Sequence, residues 1–153
     1  MPVLKFVTES YSKKSIHFDQ IWLLSACSPL IESNDLLAAC QLFENSKNKN
    51  ALLSVSEYPV PIEWAFERNT NCDLIPVQSG MFSIRSQDFK KKYFDAGVFA
   101  IFPVENILNS QGAGSDEGFI GYILPKEKVI DIDDESDWKI AEALYKSGQI
   151  GTK

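Results

Sequence analysis

Short, unbroken apolar runs recur along the chain at Ile21-Trp22-Leu23-Leu24, Ala51-Leu52-Leu53-Ser54-Val55, Val98-Phe99-Ala100-Ile101-Phe102 and Phe119 to Leu124. Runs of this length without polar alternation predict strands buried on both faces, as in a parallel sheet. Around and between them, apolar residues fall three and four apart, the helical rhythm. Val3, Val7 and Tyr11 stack on one face of a helix near the start of the chain. Leu36, Cys40 and Phe43 mark the inner side of a second helix, with Ser33 or Asn34 as its N-cap. Trp138, Ala141 and Tyr145 line a third, with Asp134 to cap it, Asp137 three residues on and Gly148 as its stop. Helix, strand, helix, strand with short connections predicts an α/β sheet with crossover helices.

The stretch from Glu57 to Ser83 breaks this rhythm. Its three prolines, Trp64, Phe66 and the polar run Asn69 to Asp73 predict irregular or antiparallel pieces, an excursion from the sheet. Asn109 to Gly118, rich in Gly and Ser, reads as a flexible loop. No repeat, low-complexity tract or second boundary interrupts residues 1–153, so one domain is expected.

Composition narrows the function classes. A chain of 153 residues with 44% hydrophobic and 24% charged residues can bury a core and has the balance of a soluble globular protein. The formal charge of -6 argues against a nucleic-acid binder, because phosphate neutralisation needs clustered Lys and Arg. No apolar run is long enough to span a membrane and the first residues lack a signal-peptide pattern, which makes the cytoplasm the expected location. Three cysteines at wide spacing, Cys27, Cys40 and Cys72, with the single histidine His17, give little basis for a disulfide scaffold, a zinc site or a histidine-based triad.

Four segments could carry chemistry. In Val129-Ile130-Asp131-Ile132-Asp133, an extended strand would set Asp131 and Asp133 on one face about 6.6 Å apart, with Ile132 pointing into the core. Two parallel carboxylates repel unless a cation or open water lies between them, and Mg2+ is a hard ion commonly held by one or two carboxylates plus substrate phosphates. The alternative is a solvated strand end and a capping residue. Arg85-Ser86-Gln87-Asp88, followed by three lysines and Tyr93, offers a guanidinium fork for an anion, or else an ordinary solvated loop. In Asp95-Ala96-Gly97, Asp95 could accept sugar hydroxyls and Gly97 could admit a ligand close to the backbone, or the segment is a turn into a strand. Ser25-Ala26-Cys27-Ser28-Pro29-Leu30 follows a strand and precedes a helix, the position where open α/β sheets bind ligands and also one where small polar residues are needed anyway.

The order of these segments resembles the acylneuraminate cytidylyltransferase family. The resemblance runs from about Ile21 onward through the Ser-Pro-Leu turn, Ser54-Val55-Ser56-Glu57 with Pro61-Ile62-Glu63-Trp64-Ala65, Arg85-Ser86-Gln87-Asp88, Tyr93, Asp95-Ala96-Gly97, and Asp131-Ile132-Asp133 with Asp137-Trp138. Arg-Ser-Gln-Asp and Asp-Ala-Gly place it near the branch acting on pseudaminic acid. The resemblance implies a three-layer, Rossmann-like nucleotide-diphospho-sugar transferase sheet of GT-A type. It also implies transfer of CMP from CTP to a nine-carbon nonulosonic acid with release of pyrophosphate. By that resemblance Asp131 and Asp133 hold Mg2+, Ser28 lies against the cytidine nucleotide, and Arg85, Gln87, Tyr93, Asp95 and Gly97 shape the sugar side. The excursion at about 57–94 resembles the region through which family members pair, implying a homodimer.

The family's opening strand and its Ala-Arg-Gly-Gly-Ser-Lys triphosphate loop have no counterpart in these residues, so the sheet is expected to be incomplete on its amino-terminal side and the chain weakly active at most. Cys27 stands where the family usually has Thr, and Phe94 and Val98 replace more polar residues. Two rival readings remain: a related nucleotidyltransferase with another keto-deoxy sugar, and a non-catalytic remnant serving as an interaction or dimerisation module.

Overall fold

The computed structural model describes residues 2–46, 50–110 and 117–149. Four helices and six strands follow in the order α1 (Pro2–Ser12), β1 (Gln20–Leu24), α2 (Ser33–Asn45), β2 (Ala51–Glu57), β3 (Phe66–Arg68), β4 (Leu74–Pro76), β5 (Tyr93–Pro103), α3 (Val104–Asn109), β6 (Phe119–Ile123) and α4 (Glu135–Gln149). The main sheet has the strand order β1-β5-β2-β6, and β3 and β4 form a separate two-stranded ribbon. The expected α/β architecture is present, while the short helix α3 was not anticipated. Of the loop expected at Asn109 to Gly118, residues 111–116 lie outside the described residues.

The sheet is mixed, which corrects the expectation of a parallel one. β5 runs antiparallel to both β1 and β2, whereas β2 and β6 are parallel. β1, β2 and β6 therefore all point one way, and β5 begins where they end. Phe43, Leu52, Ile101 and Leu124 are almost wholly buried, with Trp22, Leu36 and Tyr122 packed around them. A second cluster of Ala51, Ala100, Phe102 and Ile107 receives Leu4 from α1. Burial of this kind contributes about 25 cal/mol per Å² of apolar surface removed from water.

Several apolar positions face outward against expectation. β1 lies at the edge of the main sheet, and Leu23 and Leu24 remain about half exposed. Val3, Val7 and Tyr11 are exposed, because α1 turns Leu4 and Thr8 inward. On α2 the buried line is Asp35, Ala39 and Phe43, one residue round from the expected Leu36 and Cys40. That helix is capped at Glu32 rather than Ser33 or Asn34, since the Asp35 carboxylate returns to accept the Glu32 N–H at 3.0 Å. α4 opens as expected: Asp134 Oδ1 accepts the N–H groups of Ser136 and Asp137, and Asp137 Oδ2 accepts those of Asp133 and Asp134.

Candidate functional site

The direction of the strands decides where the chemistry gathers. The Ser25–Leu30 turn follows β1, Glu57 ends β2, the acidic segment follows β6, and Tyr93 to Gly97 open β5. All four belong to one rim of the sheet. Register makes the adjacency explicit: Glu57 stands opposite Tyr93 and Val55 opposite Asp95, while the Ser25 N–H donates to the Val98 carbonyl at 2.9 Å.

Gly97 sits in a distortion of β5. Leu53 faces Ala100 and Val55 faces Asp95, so the segment between carries extra residues against Ser54 alone. Gly97 takes φ +65°, a left-handed conformation that glycine adopts at low cost. Asp95 Oδ1 accepts the Gly97 N–H at 2.9 Å and braces the turn. The buried Ser54 hydroxyl accepts the Phe99 N–H at 3.0 Å, replacing a backbone partner lost in the bulge. A Cβ at Gly97 would meet open space, so its own backbone angle, rather than crowding, requires glycine here.

Tyr93 and Asp95 are exposed on this rim, and Arg85 and Gln87 are exposed in the segment that leads into β5. Arg85 pairs with Asp88 at 3.2 Å across a single 3-10 turn, Ser86–Asp88. Gln87 lines a cavity of about 420 Å³ between the loop Glu57 to Pro61 and the segment Ser86 to Lys92. Its walls are pinned together: Lys91 Nζ donates to Glu57 at 2.8 Å, the Tyr58 N–H donates to the Lys92 carbonyl at 3.0 Å, and Lys92 is paired with the buried Glu63. The hydrogen bond from Lys92 holds the Glu63 carboxyl below its ordinary pKa.

Ser28 is buried, 7% exposed, in a turn whose Ala26 and Cys27 face outward. Asp131 and Asp133 do not lie on a strand, contrary to expectation. β6 ends at Ile123, Pro125 cannot supply a ladder N–H, and a 3-10 turn at Lys126–Lys128 follows. The residues beyond it find no partner strand among the described residues. The predicted alternation nevertheless survives: Asp131 and Asp133 are exposed and Ile132 is half-buried between them. Ile132 joins Pro29, Trp138, Ala141 and Tyr145 around an apolar cavity of about 220 Å³, which brings the acidic segment against the serine turn. Trp138 and Tyr145 line this cavity and remain more than half exposed, so of the predicted inner stripe of α4 Ala141 alone is buried.

Sequence reasoning missed the residue that anchors this segment. Lys128 Nζ donates to Asp35 at 2.6 Å and to Glu32 at 2.7 Å, tying the approach to Asp131 onto the start of α2. Burial pulls its pKa down, but the hydrogen bonds and charges of Asp35 and Glu32 outweigh that, and the net shift is upward. The pattern Lys126-Glu127-Lys128 before an acidic pair was the available signal, though its partners lie more than ninety residues away in sequence.

Among the described residues no cluster of three or more His, Cys, Asp or Glu forms a metal cage. An exposed pair of carboxylates does suit Mg2+, which keeps several waters and takes phosphate oxygens as further ligands. No helix among the described residues is long and apolar enough to cross a membrane.

No family model matches the chain. Individual relatives do. The chain is 32% identical over 135 residues to a pseudaminic acid cytidylyltransferase of Campylobacter jejuni subsp. jejuni serotype O:23/36 (strain 81-176), covering 84% of this chain and 55% of that protein. A second protein of that name, from Campylobacter jejuni subsp. jejuni serotype O:2, is 31% identical over the same shares. Post-translational flagellin modification protein B of Campylobacter coli is 28% identical over 95% of this chain and 60% of its own length. The chain is thus a homologue of the pseudaminic acid cytidylyltransferases over most of its own length, and it spans about half the length of these curated relatives.

Proposed function

We propose that this chain carries the sugar side and the metal pair of a cytidylyltransferase that transfers CMP from CTP to a nonulosonic acid of sialic or pseudaminic type, releasing pyrophosphate. The observation that carries this reading is the meeting of separate sequence motifs on one rim of the sheet: the serine turn after β1, the bulged start of β5 and the acidic segment after β6. The β1-α2-β2 crossover supports placing that sheet in a larger three-layer, Rossmann-like sheet of GT-A type.

In this reading the anomeric hydroxyl of the sugar attacks the α-phosphate and pyrophosphate leaves, with no covalent enzyme intermediate. Asp131 and Asp133 would hold Mg2+, whose charge would offset that of the triphosphate. The turn containing Ser28 backs the nucleotide. Arg85, with its exposed guanidinium, and Gln87 and Tyr93 orient the sugar. Asp95 spends Oδ1 on Gly97 and keeps Oδ2 for a sugar hydroxyl. Lys128 keeps the acidic segment against α2. These residues contain no Ala-Arg-Gly-Gly-Ser-Lys loop, so triphosphate binding by this chain alone is expected to be weak.

The test is product formation with CTP, Mg2+ and a panel of sugar acids, read by mass spectrometry. The reading expects slow formation of a CMP-nonulosonate, absent in the Asp131→Ala, Asp133→Ala double variant. Equal product from the double variant, or product only with an unrelated keto-deoxy sugar, would count against it. A second reading, self-association through the excursion, is favoured by its outward apolar residues: Phe82 is 72% exposed, Leu74 60% and Val77 57%. It is compatible with the first.

A further inference from the structure

The cavity beside Gln87 has a composition that points to one class of ligand. Tyr58, Pro59, Val60, Pro61 and Phe89 give it rigid apolar walls, and Ser86 and Gln87 offer a hydroxyl and an amide. At about 420 Å³ it falls within the ordinary size range of small-molecule pockets. Its cations are not equivalent. Lys91 is neutralised by Glu57 and Lys92 by Glu63. Lys90 forms no ion pair among the described residues, although it lines the same cavity. Three lysines against two glutamates leave one positive charge in excess, in a chain whose formal charge is -6.

We propose that this cavity seats the acidic sugar, with the Lys90 ammonium taking its carboxylate and Gln87 and Ser86 meeting its hydroxyl or acylamino groups. The proposal rests on the reading above for the identity of the sugar, and it adds the location of the sugar's charge and the residue that answers it. An ammonium already paired with a carboxylate must break that pair to bind a second one, so Lys90 accepts the ligand at lower cost than Lys91 or Lys92. Those two act instead as struts. The Lys91–Glu57 and Lys92–Glu63 pairs hold the two cavity walls at a fixed separation before any ligand arrives, which lowers the ordering cost of binding. Apolar walls on an otherwise polar pocket suit a polyol acid that also carries an acyl group.

The experiment is an NMR titration of the isotope-labelled full chain with N-acetylneuraminate and, separately, with its methyl ester. Saturable shifts are expected at residues 57–61 and 86–92 with the acid. Lys90→Met is expected to weaken acid binding by roughly tenfold or more, the scale of losing a hydrogen bond between charged groups, and to remove the preference for acid over ester. Its unchanged spectrum elsewhere will report that the fold is intact. Equal affinity of Lys90→Met and the unaltered chain, shifts confined to other residues, or no binding at all would overturn the proposal. CTP and Mg2+ titrated into the same sample separate the two claims. Acid binding at Lys90 without Mg2+-dependent CTP binding would remove the transferase reading and leave the pocket standing, whereas CTP binding with an indifferent Lys90 would remove the pocket alone.

Discussion

Lys128 illustrates how one side chain can govern a segment it does not belong to. Its ammonium meets two carboxylates with only 20% of the side chain exposed, and Asp35 is more deeply covered still, at 11%. Lys128→Met would leave Asp35 without its countercharge. It should destabilise the chain by about 2 kcal/mol, below the ~3–5 kcal/mol of a fully buried pair because some water still reaches the site. Lys128→Arg should recover most of that loss in chemical denaturation. Glu63 makes a pH-dependent contribution. Its carboxyl titrates lower in the folded chain than in the unfolded one because Lys92 hydrogen-bonds to it, so its stabilisation is complete above the unfolded value of 4.5 and disappears as pH falls through the lower folded value. Glu63→Gln should therefore flatten the acid limb of a stability profile below about pH 4.5 and leave the shape of the curve between pH 6 and 8 unchanged.

Among the elements, β5 holds the most information about the site, and its bulge depends on Gly97. At φ +65° a side chain is strained whatever space surrounds it, so Gly97→Ala should cost roughly 1–2 kcal/mol in equilibrium unfolding. It should also disturb the amide resonances of Asp95 and Phe99, whose hydrogen bonds flank the bulge. The core of β5 was legible in the sequence as the run Val98 to Phe102, because continuous burial leaves a continuous apolar signature. Its first residues were not, since Tyr93 to Asp95 pair with β2 and burial alternates from Tyr93 to Gly97 through the bulge. α4 was legible in its start, because its capping hydrogen bonds are local, but the helix runs through Gly148, the expected stop, to Gln149. The faces of α1 and α4 were misjudged for one shared reason. Periodicity identifies an apolar stripe but not what covers it, and Val3, Val7, Trp138 and Tyr145 have little packed over them among the described residues. The alternate exposure of Asp131 and Asp133 about Ile132 was legible, while the strand expected to carry them is absent among the described residues, because alternate exposure in an extended chain does not require a ladder partner.

Across the whole molecule, topology outweighs any single motif. With β5 reversed between β1 and β2, the ends of three strands and the beginning of a fourth coincide, and residues separated by about a hundred positions share a rim. Among the described residues the same topology leaves β1 without a partner on its outer edge and the excursion with outward apolar side chains, features that favour association. If the excursion pairs two copies, light scattering should give a dimer, and a Val77→Ser, Phe82→Ser double variant should shift it toward monomer with its circular dichroism unchanged.

The most direct test of the account asks whether the acidic segment binds nucleotide together with metal. Labelled chain titrated with CTP in the presence and absence of Mg2+ should show Mg2+-dependent shifts centred on Asp131, Asp133 and the Ser25 to Pro29 turn, and these should vanish in the Asp131→Ala, Asp133→Ala double variant. Shifts that ignore Mg2+, that survive the double variant, or that never appear would contradict it.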